Sequence, residues 1–116
     1  MPTVQPDEVY WVQYPLANGH EQAGRRPSII LQDDTFALAN PLVLAIPLTT
    51  SAGITRYPGV VFVPADAQNG LTVDSYAMVF QLRATDRRRF QNKLGDVSAS
   101  VLAELYRTLD LLTGHP

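Results

Sequence analysis

Apolar residues in this chain come in short bursts separated by prolines, glycines and acidic turns, a spacing that suits strands. From Glu8 to Tyr14 the pattern alternates, with Val9, Trp11 and Gln13 on one face and Tyr10, Val12 and Tyr14 on the other, which predicts a first strand. Ser28 to Gln32, bounded by Pro27 and Asp33-Asp34, predicts a buried second strand. Leu42 to Ile46, opened by Pro41 and closed by Pro47, predicts a third that ends beside the hydroxyls of Thr49, Thr50 and Ser51. Val60 to Val63 between Gly59 and Pro64 predicts a fourth. A turn at Asn69-Gly70, a short edge segment over Leu71 to Val73 and a further strand over Ser75 to Leu82 follow. The connection from Asp33 to Asn40 has room for one helical turn, as does Asp86 to Phe90.

The period changes at the end of the chain. Ser98 offers an N-cap, Leu102, Leu105, Leu109 and Leu112 recur at helical spacing, and Gly114 stops the pattern. Many short strands followed by one terminal helix predict a mainly β fold, a small and strongly bent antiparallel barrel with a C-terminal α-helix. Nine prolines at strand boundaries suit a barrel with frequent corners, and 116 residues with 46% hydrophobic content suit one domain spanning 1–116.

Composition then removes several kinds of chemistry. There is no cysteine, and the two histidines, His20 and His115, lie at opposite ends of the chain, so neither a disulfide framework nor a thiolate or histidine-rich metal site is expected and no cofactor is implied. No apolar stretch approaches a membrane span and the N-terminus is polar, so a cytoplasmic protein is expected. A net charge of -2 argues against a broad electrostatic grip on nucleic acid and leaves local patches. Eight of the nine basic residues are arginines, six of them clustered at Arg25-Arg26 and at Arg83, Arg87, Arg88 and Arg89, and the planar guanidinium suits phosphate and stacked bases.

The densest chemistry lies in Gly19-His20-Glu21-Gln22-Ala23-Gly24-Arg25-Arg26-Pro27, a glycine-flanked loop that delivers a Glu and two arginines onto the start of the second strand. Taken singly, each residue has a plainer account. An arginine before a strand is usually solvated, a threonine at a strand end usually serves a turn, and strand aromatics such as Trp11 usually fill the core. Arg87, Arg88 and Arg89 fit a solvated face, whereas Arg83, directly after a strand, is the better binding candidate.

Taken together, that loop, Val9-Tyr10-Trp11-Val12, Ile46-Pro47-Leu48-Thr49-Thr50-Ser51, the block from Gln81 to Phe90 and Gly95-Asp96-Val97 before the last helix resemble the MazF/PemK toxins of bacterial toxin–antitoxin systems. The resemblance runs nearly end to end. Relatives commonly place a Gly-Asp pair before the first strand where this chain has Pro6-Asp7-Glu8, a difference that concerns a turn. The resemblance implies an SH3-like barrel and an endoribonuclease that cuts single-stranded RNA without a metal. In that chemistry the ribose 2′-hydroxyl is the nucleophile, and the ends left are a 2′,3′-cyclic phosphate and a 5′-hydroxyl.

It also implies a homodimer neutralised by a cognate antitoxin. By residue, it implies Arg26 and Thr49 as catalytic groups stabilising the phosphorane, and Glu21 as a catalytic candidate that orients Arg26 or assists proton transfer, a role His20 also suits. His20, Gln22, Arg25, Thr50, Ser51, Gln81 and Arg83 are the implied RNA-binding residues. Two other classes stay open: a CcdB-like toxin that binds DNA gyrase and cuts nothing, and an inactive, binding-only family member. Gyrase poisons depend on a tryptophan near a Trp-Gly-Ile ending, whereas this chain ends Thr113-Gly114-His115-Pro116 and has Trp11 alone.

Overall fold

The computed structural model describes residues 4–15, 19, 23–33 and 41–115. Among the described residues, seven strands, β1 (Glu8–Tyr14), β2 (Gly24–Ile30), β3 (Leu42–Thr49), β4 (Val60–Val63), β5 (Ser75–Met78), β6 (Arg83–Asp86) and β7 (Phe90–Asp96), precede one helix, α1 (Ala99–Thr113). All strand pairs are antiparallel, in the order β4-β5-β3-β2-β1-β7, with β6 paired to the first half of β3. The sheet is strongly bent, as a barrel would be, yet β4 and β7 stand at opposite ends of the strand order, so hydrogen bonds do not close it.

Alternation along β1 to β3 sends apolar residues to both faces. Val9, Ile29 and Ile46 lie in mutual register and build a core with Leu48, Val61, Val63, Ala77 and Leu105 of α1. The opposite face packs Tyr10, Val12, Tyr14, Ile30, Val43, Ala45 and Phe90, with Tyr10 and Phe90 edge to face at 5.9 Å. The helix is capped as its sequence predicts. Ser98 Oγ accepts from the Val101 N–H at 3.2 Å, and Gly114, at φ 71, closes the other end.

Several expectations change. The second strand begins at Gly24 instead of Ser28, so both arginines lie within the strand. The third passes through Pro47 to Thr49. The run from Ser75 to Leu82 breaks at Met78, where Val79–Gln81 form a 3-10 turn whose first two N–H groups donate to Gly59 O. Residues 71–73 form bends and no strand, while Phe90–Asp96, polar enough to pass as a connection, pairs with β1. The helical turn expected over Asp86 to Phe90 is a 3-10 turn at Arg87–Arg89.

Candidate functional site

Neighbouring residues on a strand point to opposite faces, so the Arg25-Arg26 pair is divided by the backbone that carries it. Arg26 stands opposite Val12, on the face of Tyr14 and Ser28. Arg25 stands opposite Gln13, on the face of Trp11 and Pro27. Each guanidinium is then tied down locally. Arg25 Nε donates to Gln91 Oε1 at 2.7 Å and its guanidinium lies 4.0 Å from the centre of the Trp11 ring. Arg26 Nε donates to Ala23 O at 3.2 Å, and its Nη1 reaches Leu48 O at 3.5 Å.

The room around these groups arises where two strands part. Pairing of β2 with β3 ends at Ser28 opposite Pro47, and beyond that point β3 turns to β5, with Leu48 opposite Ala77 and Thr49 opposite Tyr76. Pro27, lacking an N–H, has no donor to continue the ladder toward β3. Continued by two residues, the same register sets Arg26 across from Thr49. A cleft of about 440 Å³ opens there, lined on one side by Trp11, Arg25, Arg26, Thr49 and Thr50 and on the other by residues 70–73. Thr49 Oγ1 accepts from the Ser51 N–H at 3.3 Å.

The far wall is fixed by Asn69, a buried polar residue. Its Oδ1 accepts from the N–H groups of Asp66 and Leu71, its Nδ2 donates to Pro64 O, and its own N–H donates to Asp66 Oδ1. Gly70 and Gly95 then let this loop press on β7. A Cβ on Gly70 would fall 2.2 Å from Leu94 O, and one on Gly95 2.2 Å from Gln68 O.

Behind Arg26 lies Tyr14, buried, with its hydroxyl 2.6 Å from Ser28 Oγ and the Arg83 guanidinium 4.9 Å from its ring centre. Burial pushes the phenol up to about 12, against the opposing pull of the Ser28 hydrogen bond and of Arg83 and Arg26. Tyr14 is therefore neutral at physiological pH and serves as a support for the two arginines.

Of the residues singled out from sequence, Arg25, Arg26, Thr49 and Thr50 line the cleft, and Ser51 adjoins it through Thr49. Arg83 sits on β6 over Tyr14, and Gln81 lies in the 3-10 turn with its Nε2 4.0 Å from Met78 Sδ; neither lines the cleft. His20, Glu21 and Gln22 lie outside the described residues. Arg88 pairs with Asp86 at 2.9 Å, and that contact, with the Arg88 N–H, holds the Asp86 carboxyl down to about 2. Sequence reasoning missed Gln91 and the Asn69 wall. An Asn-Gly pair signalled a turn but not its position across the cleft, and nothing local marks Gln91.

Among the described residues no group of His, Asp or Glu side chains is arranged to hold a metal, and no helix is long and apolar enough to cross a membrane. Residues 5–113 match the family of PemK-like, MazF-like toxins of type II toxin–antitoxin systems. The chain is 30% identical over 109 residues to endoribonuclease MazF6 of Mycobacterium tuberculosis, a match covering 90% of this chain and 95% of that one. Among solved structures it resembles MazF from Deinococcus radiodurans, with TM-score 0.82, 30% identity and 97% of each chain covered. The MazE-MazF complex from the same organism matches at TM-score 0.76 and 29% identity, with 98% of each chain covered.

Proposed function

Because the chain belongs to the PemK-like, MazF-like toxins of type II toxin–antitoxin systems, we propose that it cuts single-stranded RNA at the cleft between β2 and β3, with no metal. The observation that carries this is the placement of Arg26 and Thr49 at the mouth left by the parting strands. Attack of the ribose 2′-oxygen on the adjacent phosphorus gives a phosphorane with extra negative charge on its non-bridging oxygens. The Arg26 guanidinium offers two donors in one plane to those oxygens, and the Thr49 hydroxyl adds a neutral third. Expulsion of the 5′-oxygen then leaves a 2′,3′-cyclic phosphate on one fragment and, once that oxygen takes up a proton, a 5′-hydroxyl on the other.

Arginine remains protonated far above neutral pH, so Arg26 acts in this scheme as an electrostatic clamp, while the 2′-proton is taken by another group, for which Glu21 and His20 are the candidates. The same cleft is open to a cognate antitoxin, in keeping with the MazE-MazF complex that the fold resembles. We further place the protein in the cytoplasm as a homodimer of a single domain spanning 1–116.

The test is incubation of the protein and of Arg26→Ala with a long defined RNA in EDTA, followed by mapping of the new ends. Cuts at a short motif with 5′-hydroxyl ends, lost in the folded variant, are expected. Full cleavage by Arg26→Ala would overturn the site, and inhibition of gyrase supercoiling without RNA cleavage would favour the gyrase-binding alternative.

A further inference from the structure

Trp11 lies at an irregular point of the sheet. Tyr10 pairs with Lys93 and Val12 with Phe90, so the single residue Trp11 faces the two residues Gln91 and Asn92 across a register shift. Such a bulge re-aims side chains, and here Gln91 meets the Arg25 Nε at 2.7 Å while the guanidinium carbon sits over the indole, 4.0 Å from the ring centre. An exposed arginine is thus fixed by an aromatic ring beneath it and an amide at its edge. The amide accepts the hydrogen bond without cancelling the positive charge, which a carboxylate in its place would do.

The stack borders the cleft that holds Arg26 and Thr49, facing the anchored wall that ends at Val73, an apolar side chain left 55% exposed. We propose that the outer face of Arg25 is the seat for one unpaired base of the RNA, next to the scissile phosphate, and that Gln91 is the positioning residue that keeps that face flat. A planar cation sandwiched between indole and base satisfies both π faces at once, and an unpaired base is the planar group that a single strand supplies. This inference rests on the RNA reading of the cleft but not on the catalytic roles of Arg26 and Thr49.

The experiment uses a short single-stranded 2′-O-methyl oligoribonucleotide of mixed sequence, which cannot supply the attacking hydroxyl, and the same backbone carrying abasic sugars. Binding is followed by anisotropy and by the emission of Trp11, the sole tryptophan. Wild type is expected to bind the base-bearing strand roughly ten- to a hundredfold more tightly than the abasic one, the worth of one stacked base, with a change in Trp11 emission. Gln91→Leu is expected to lose that preference and Gln91→His, which keeps a neutral acceptor at mildly alkaline pH, to retain most of it.

Equal affinity of wild type for the two strands would overturn the base seat and leave phosphate contact alone. An undiminished preference in folded Gln91→Leu would overturn the role of Gln91. Binding of neither strand would sink this inference together with the RNA reading, whereas RNA cleavage by Arg26→Ala alongside the expected binding pattern would remove only the catalytic assignment.

Discussion

Tyr14 Oη and Ser28 Oγ meet at 2.6 Å between β1 and β2, with both residues shut away from water. Removing one partner strands the other, so Tyr14→Phe and Ser28→Ala are each expected to destabilise the fold by roughly 1 to 3 kcal/mol, and the double variant by less than their sum. Urea unfolding of the three variants measures this.

The same phenol makes an alkaline prediction. Its pKa is raised from 10.0 in the free side chain to about 12 in the fold, so the folded state holds the proton more tightly. The associated stability is complete below pH 10 and is lost as the pH rises toward 12, amounting to roughly 2 to 3 kcal/mol for a shift of that size. Wild type is expected to lose stability over that interval more steeply than Tyr14→Phe does.

Removing the guanidinium of Arg26 is expected to lower the RNA cleavage rate by a factor on the order of 10² to 10³, the usual effect of deleting one donor to a developing oxyanion. Thr49→Val, which deletes a neutral donor, should cost less. Both variants should keep the midpoint of thermal unfolding within a few degrees of wild type, since neither side chain is in the buried core. A large fall in that midpoint would mean the lost activity is structural.

Two glycines with similar backbone angles should respond differently to the same change. Gly24, at φ 82, has open space where a Cβ would go among the described residues, so Gly24→Ala is expected to cost about 1 kcal/mol from conformation alone. Gly70, at φ 72, would drive its Cβ into Leu94 O, so Gly70→Ala is expected to exceed about 3 kcal/mol and to loosen the far wall of the cleft. Similar losses in the two would contradict the close approach of the loop to β7.

Asp7 offers a stabilising change. It holds φ 83, a conformation that favours glycine, at the turn where relatives commonly carry a Gly-Asp pair. Its backbone N–H donates to Ile30 O and its carbonyl accepts from the Val97 N–H, bonds that glycine keeps. Burial, with Asp96 and Glu8 close by, raises its carboxyl pKa, so the ionised side chain weakens the fold at neutral pH. Asp7→Gly is expected to gain roughly 1 kcal/mol at pH 7. The gain should shrink as the pH falls through the raised value, because protonation relieves the wild type there.

Much of this was legible from local pattern. The alternation in Glu8–Tyr14, the proline-bounded run Val60–Val63 and the cap-to-cap signal of α1 each carry their element in a few residues. What was not legible depended on partners far away in sequence. Gly24 to Pro27 looks like a loop until β1 pairs with it, and Phe90–Asp96 looks like a connection until β1 makes it an edge strand. Arg26 and Thr49 could be named from a family resemblance, but their separation across a cleft follows from β3 changing partner at Pro47, which no local spacing encodes. Gln91 is 66 residues from Arg25, and only the bulge at Trp11 brings them together.

The cleft has its origin in one imino acid. Because Pro27 withholds a hydrogen where the β2–β3 ladder ends, the gap is set by the covalent chain and stands ready before any substrate arrives. A strand that enters there has no ladder hydrogen bond to break, and anything already seated in the gap stands in its way.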